Sequence, residues 1–292
     1  MTRIIETLAE VSGDYDALLC DLWGCLHDGL TPYPEAVAAL QAYRARGGKV
    51  VLLTNSPRPA AGVAQQLAEM DVPRDVYDAI VSSGDAARAG LFGGVVGQRV
   101  WHLGPEKDDN FFTDPPEGVS DPLKIERVSL DEAEGIVCTG PFHEEGEIPE
   151  DYRPTFLKAK ARGLKLLCAN PDIMVDRGDT RVYCAGALAA LYDEMGGESL
   201  YFGKPHPPIY DLARRRLDAL GVEVSASRIL AVGDGMATDI KGAVLEDIDA
   251  VFVTGGLAAR ETGTNRQPDP VLLETYLARQ DYAPRYTIGF LR

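Results

Sequence analysis

Three carboxylates, one hydroxyl and one ammonium stand just past apolar runs in this sequence. Asp21 follows Ala17-Leu18-Leu19-Cys20, Thr54 and Asn55-Ser56 follow Lys49-Val50-Val51-Leu52-Leu53, and Gly233-Asp234 with Asp239 follow Arg228-Ile229-Leu230-Ala231-Val232. Lys204 precedes a proline in Tyr201-Phe202-Gly203-Lys204-Pro205-His206-Pro207. Short apolar runs closed by glycine-containing turns read as buried strands of a parallel sheet, and open α/β sheets hold ligands outside the carboxyl ends of such strands. Singly, each group has an ordinary role: Thr54 as a helix cap, Asp234 in a turn, Asp239 in a first helical turn, Lys204 in solvent. Together, in one order along four strand ends or loops, they point to a reactive site.

The elements that must position these groups alternate. Strand and helix patterns alternate from the first strand to about residue 84 and again from about residue 199 onward, which predicts a parallel sheet between two helical layers with right-handed crossovers. The proline-started Pro34–Ala45 segment reads as a helix ended by Gly47-Gly48. Asp28-Gly29 favours a tight hairpin turn. Residues 1–15 read as a short amphipathic helix. Between the two halves lies a second alternating block. Its strands are Val100–Leu103, Gly135–Cys138 and Leu164–Cys168, its helices fall near 150–162 and 185–195, and its polar 105–122 segment reads as loop.

At 292 residues, two domains are the natural expectation, and 45% apolar with 25% charged residues suits a globular enzyme. The five cysteines have no C-x-x-C spacing, so buried reduced thiols are expected rather than a disulfide framework or a zinc site. A formal charge of −16 without a basic stripe argues against nucleic acid, though a cation and local positive groups can still hold a small phosphorylated molecule. The early acidic residues and the lack of a long apolar window argue against a signal peptide or membrane span, so a cytoplasmic location is expected.

The ordered set Asp21, Thr54, Lys204 and Asp234/Asp239 resembles the four motifs of the haloacid dehalogenase superfamily, over nearly the whole chain. The long segment between Asn55 and Lys204, with Asn170-Pro171-Asp172 and Cys184-Ala185-Gly186-Ala187-Leu188, is similar to the class IIA branch, whose cap is inserted after the second motif. That branch includes nitrophenylphosphatase-like, phosphoglycolate, pyridoxal phosphate, sugar phosphate and nucleotide phosphatases. The resemblance implies an α/β architecture: a Rossmann-like three-layer core over residues 1–84 and 199–292 and a C2-type α/β cap over 85–198. It implies a Mg²⁺-dependent hydrolase of a small phosphorylated metabolite, working through an aspartyl-phosphate on Asp21. The ion would be held by Asp21, the main-chain oxygen of Trp23, Asp234 and Asp239. Thr54, Asn55, Ser56 and Lys204 would hold the phosphoryl group. Asn170 and Asp172 would meet the substrate, with Arg58, Arg177, Arg181 and Tyr183 as further contributors. A homodimer through the cap is expected on the same ground.

One position departs from the pattern. In phosphatases of this superfamily the residue two after the nucleophile is a second aspartate, a general acid; here it is Trp23, whose indole N–H cannot exchange a proton at neutral pH. The main-chain ligand survives the substitution and the acid does not. Asp28, His27, His206 and Asp172 are candidate replacements. Two other readings accommodate Trp23: dehalogenation by Asp21 without metal, and a non-catalytic binder of phosphorylated metabolites.

Overall fold

The computed structural model describes residues 2–143, 146–177 and 180–292. The chain groups into two compact units, one of Met1–Thr54, Ala64–Val81 and Tyr210–Arg292, the other of Asn55–Val63 and Ser82–Ile209. The strands in chain order are Arg3–Ile4 (β1), Ala17–Cys20 (β2), Lys49–Thr54 (β3), Ala79–Ser82 (β4), Arg99–Leu103 (β5), Glu126–Arg127 (β6) and Gly135–Cys138 (β7). Lys165–Cys168 (β8), Met174–Arg177 (β9), Thr180–Tyr183 (β10), Glu198–Tyr201 (β11), Ile229–Gly233 (β12), Asp249–Val253 (β13) and Tyr286–Ile288 (β14) follow.

The first unit is built on a seven-stranded sheet in the order β1-β14-β13-β12-β2-β3-β4. From β2 the chain moves outward through β3 and β4 on one side, and through β12, β13 and β14 on the other. The strand order therefore reverses between β2 and β12, the kind of switch point where open α/β sheets leave a crevice. The register fixes the level of the strand ends. Cys20 lies opposite Leu52 on β3 and Val232 on β12, and the Asp21 N–H donates to Val232 O at 2.8 Å. Asp21, Thr54 and Asp234 consequently leave the sheet at nearly the same height.

β2 is buried along its whole length, as are Val50–Leu53, Ile229–Val232 and Ala250–Val253, which is why these segments read as continuous apolar runs. The Pro34–Ala45 helix forms as predicted, with Pro34 in its first turn and Gly47 at φ +94° just beyond it. The amino-terminal expectation is corrected. Residues 1–15 hold the short strand β1, paired in parallel with β14, and one helical turn, Ala9–Ser12, instead of a continuous helix. Pairing with the sheet edge overrode a weak helical pattern.

The second unit carries a five-stranded sheet, β11-β8-β7-β5-β6, whose described pairings are all parallel, and the antiparallel pair β9–β10. Strand alternation divides its core. Ile136, Cys138, Leu166 and Cys168 pack with Phe156, Leu188 and Tyr192 on one face, while Val137, Leu167 and Ala169 pack with Leu91, Val100 and Phe111 on the other. The 105–122 segment is not all loop: Glu106–Phe112 is a 3₁₀ helix that buries Asp108 and Phe111. Phe111 is the apolar anchor that a reading by polar composition passed over. No described helix is long and apolar enough to cross a membrane.

Candidate active site

In the first unit, Asp21 and Asp234 are buried at the ends of the neighbouring strands β2 and β12, 8% and 7% exposed. One carboxylate oxygen of each and the Cys25 sulfur all lie within 4.8 Å of one another. Asp234 is held from two sides. Its Oδ2 accepts the Leu257 N–H at 2.9 Å, and a Cβ at either Gly24 or Gly256 would overlap that oxygen. Gly24 also has φ +72°, which glycine adopts without strain. The two glycines let backbone close around the carboxylate and fix its direction.

Asp239 lies in a π-helical turn, Met236–Ile240, directly after β12. Turns of this wide kind are frequent at functional sites. Its Oδ2 accepts the Gly235 N–H at 3.1 Å, and the carboxylate is buried. Thr54 is buried at the end of β3. Two buried carboxylates with converging oxygens fit a hard divalent cation, which prefers anionic oxygen, carbonyl and water ligands.

Trp23 turns to its own hairpin. Its ring meets His27 edge to face, with centroids 5.4 Å apart, and a Cβ on Gly29 would overlap the outer atoms of the indole. The Gly24 N–H donates to His27 O at 2.9 Å, and Asp28 N–H donates to Thr31 O at 3.1 Å, which closes the turn expected at Asp28-Gly29. The Asp28 carboxylate accepts the Leu30 and Thr31 N–H groups at 2.9 and 2.7 Å. Those hydrogen bonds hold its pKa below the usual carboxylate value, so Asp28 stays ionised at neutral pH.

His27 is 1% exposed, and burial takes its pKa down to about 4. Its Nδ1 accepts the Gly29 N–H at 2.9 Å, which leaves the ring proton on Nε2. Neither side chain is a ready proton donor of the kind a phosphatase acid requires. The neutral imidazole has a consequence for stability. Below about 6.5 the unfolded chain takes up a proton that folded His27 does not accept until about 4. Acidification through that window therefore favours unfolding, while above it both states are neutral and the effect vanishes. His27→Asn, which keeps an acceptor for Gly29 but cannot titrate, should remove a loss of about 3 kcal/mol between these limits. Denaturant midpoints of both proteins across that pH range measure it, and parallel profiles would refute it. His102 in the second unit, also down to about 4 by burial, contributes in the same direction to both proteins, so their difference isolates His27.

Lys204, Asn55, Asn170 and Asp172 come together in the second unit. The Lys204 N–H donates to Asn55 Oδ1 at 2.7 Å, and Asn55 Nδ2 donates to Lys204 O at 3.1 Å and to Asp172 Oδ1 at 2.8 Å. Asn170 Oδ1 accepts the Asp172 N–H at 2.9 Å. Asn55 thus ties the backbone of Lys204 to the Asn170-Pro171-Asp172 turn. Lys204 itself is 3% exposed, which a solvated lysine is not. Ser56 Oγ accepts the Arg58 N–H at 3.3 Å, a local turn contact. His206 stacks on Tyr201, centroids 4.9 Å apart and planes 12° from parallel. Tyr183 is half-buried at the end of β10, while the side chains of Arg177 and Arg181 lie outside the described residues.

Sequence reasoning passed over three contributors. Cys25 reads from the sequence only as a thiol, although the turn through Gly24 brings its sulfur beside the Asp21 carboxylate. Gly256 frames Asp234 from the loop after β13, a distance in sequence that no local motif spans. Ser83 donates to Ala169 O in the second unit, and a Cβ on Gly203 would meet Ser83, Asn55 and Pro171 together.

Two family models match the chain: the haloacid dehalogenase-like hydrolase model over residues 18–114 and a HAD-hydrolase-like model over 201–277. A crystal structure of a haloacid dehalogenase-like family hydrolase from Brucella suis 1330 is 40% identical, with TM-score 0.85, covering 99% of this chain and 100% of that one. A glycerol phosphate phosphatase from Mycobacterium tuberculosis, solved in complex with calcium, is 25% identical with TM-score 0.63, over 84% of this chain and 68% of that one. A dihydroxyacetone phosphatase of Corynebacterium glutamicum (strain R) is 29% identical over 97 residues, 33% of this chain and only 34% of that protein's length. With a whole-length relative at that identity and both ends of the site inside matched segments, this chain belongs to the haloacid dehalogenase-like hydrolases, in their class IIA branch of phosphatases.

Proposed function

We propose that this enzyme is a Mg²⁺-dependent phosphatase of a small phosphorylated metabolite, a triose- or polyol-phosphate-sized monoester or an acyl phosphate, and that it acts in the cytoplasm. The observation that carries the reading is the pair of buried carboxylates, Asp21 and Asp234, converging at the switch point of the sheet. Anionic oxygens that converge at a buried strand edge suit a hard divalent cation, which takes carboxylate, carbonyl and water ligands. The relatives named for glycerol phosphate and dihydroxyacetone phosphate favour small, hydroxyl-rich substrates.

In this reading Asp21 attacks phosphorus in line and the substrate oxygen departs, leaving an aspartyl-phosphate that water hydrolyses. Asp21, Asp234 and the Trp23 carbonyl would hold Mg²⁺, with Asp239 binding directly or through water; the ion supplies neutralisation of phosphoryl charge. The Thr54 hydroxyl and the amides of Asn55 and Ser56 donate to phosphoryl oxygens, and Lys204 balances their charge. Residues 85–198, which lie inside the second unit, take the role of the cap, with Asn170 and Asp172 selecting the substrate. Residues 1–84 and 199–292 are the core in the family pattern, and the cap is also the proposed surface of a homodimer.

Trp23 leaves the departing oxygen without a carboxylic acid, so good leaving groups should be favoured over alkoxides. The test is phosphate release from dihydroxyacetone phosphate, glycerol phosphates, acetyl phosphate and p-nitrophenyl phosphate. Release is expected with Mg²⁺ and should fall to background once the ion is chelated. Turnover that survives chelation, or halide release from 2-haloacids without metal, would overturn the reading.

A further inference from the structure

We propose that Cys25 turns the cation site into a trap for a thiophilic divalent cation of the Zn²⁺ or Cd²⁺ class, bound by Cys25 Sγ together with Asp21 and Asp234. It rests on the reading of those two aspartates as cation ligands, and adds a third donor of different chemistry.

The fold brings the sulfur to the carboxylates by a local device. After Asp21 the backbone makes one turn, with Leu26 N–H donating to Leu22 O at 2.8 Å and Cys25 N–H to the same oxygen at 3.3 Å. The left-handed Gly24, φ +72°, turns the chain back within this loop, and the Cys25 sulfur comes to the carboxylates of Asp21 and Asp234. The three donor atoms fall within 4.8 Å of one another, and all three residues are buried. A zinc ion bonded to sulfur at about 2.3 Å and to oxygen at about 2.1 Å in tetrahedral geometry needs its ligands about 3.6 Å apart. Side-chain torsions can close the remaining gap of about an ångström.

Cys25 is also the thiol without a hydrogen-bonding task. Cys20 Sγ donates to Asp21 O at 3.2 Å and Cys168 Sγ to Asn170 O at 3.3 Å, while the fully buried Cys25 makes no such hydrogen bond among the described residues.

Ligand softness sets the consequence. Mg²⁺ gains nothing from sulfur, whereas thiolate selects Zn²⁺ and its congeners over hard cations. Binding breaks the S–H bond heterolytically, forms the S–metal bond and releases one proton to solvent, with no change of oxidation state. A thiophilic ion so held occupies an oxygen of Asp21 and blocks its attack. Trace Zn²⁺ thereby becomes an inhibitor that millimolar Mg²⁺ must outcompete.

Co²⁺ reports this directly, because a thiolate ligand gives a near-ultraviolet sulfur-to-metal charge-transfer band that carboxylates do not. The full chain, stripped of metal and titrated with Co²⁺, should develop the band to saturation at one ion per chain. Zn²⁺ should abolish it by displacement, excess Mg²⁺ should weaken it, and Cys25→Ser, checked for fold by circular dichroism, should lack it. No band in the parent protein, a band retained in Cys25→Ser, or a band indifferent to Mg²⁺ would each overturn the proposal. The Mg²⁺ competition needs no variant, so the test survives a misfolded Cys25→Ser. Mg²⁺-dependent phosphate release from the same preparation separates the two readings: turnover without a Co²⁺ band sinks the trap alone, while a chain with neither sinks the cation-site reading as well.

Discussion

Replacing Asp21 with Asn is expected to lower Mg²⁺-supported phosphate release by at least about 10³-fold while leaving the fold intact. The amide matches the carboxylate in shape, and the Asp21 backbone N–H that continues the ladder to Val232 O is untouched. What changes is chemistry. An amide oxygen is a poor nucleophile toward phosphorus, and the variant offers a cation one anionic oxygen fewer beside Asp234. The lost function therefore includes both attack and part of the cation affinity, and the two separate in measurement. If attack dominates, kcat with p-nitrophenyl phosphate stays depressed at saturating Mg²⁺. If affinity dominates, high Mg²⁺ restores it. Retention of activity within about tenfold of the parent at any Mg²⁺ concentration would remove Asp21 from the nucleophile's role.

The residues legible in the sequence are those whose role follows from strand register. Asp21, Thr54 and Asp234 are each the first or second polar residue after a buried apolar run, and adjacent parallel strands in register bring such positions to one edge. The helix Pro34–Ala45 was legible for a similar reason, since proline and glycine mark its two ends locally. Contacts made by long-range closure were not. Gly256 shapes Asp234 from a loop that follows another strand, and Asn55 clasps Lys204 across most of the second unit's sequence. Nothing in the composition near Asn55 announces that its amide is spent on the Lys204 backbone. The short strand β1 failed for the opposite reason: its two residues carry almost no local pattern, and the edge of β14 supplies the structure. Cys25 was visible as a residue but not as a donor, because its meaning depends on one turn that carries it back to Asp21.

Trp23→Asp should raise turnover of alkyl phosphates by roughly 10²- to 10⁴-fold, the usual worth of general acid–base assistance, and change p-nitrophenyl phosphate much less in its first step. The argument runs through both half-reactions. A carboxylic acid at this position would protonate an alkoxide as it leaves and then, as carboxylate, take a proton from the attacking water. Trp23 can do neither, and His27 and Asp28 beside it do not compensate: one is neutral at working pH with its Nδ1 occupied, the other is held ionised by backbone N–H groups. With an aryl leaving group the first step needs no acid, whereas hydrolysis of the aspartyl-phosphate still lacks a base. The parent enzyme should then show a burst of about one nitrophenolate per chain before a slower steady rate. Trp23→Asp should shrink that burst and accelerate the steady rate, while the alkyl-to-aryl ratio of kcat/KM rises. Stability should fall by about 2 kcal/mol, because the indole that packs on Gly29 and His27 is lost. Stopped-flow release of nitrophenolate, steady-state rates on glycerol phosphate and a denaturant midpoint measure the three effects on one preparation. A variant with an unchanged alkyl-to-aryl ratio and no change in the burst would mean that proton transfer does not limit this enzyme, and that Trp23 replaced a group whose work is done elsewhere.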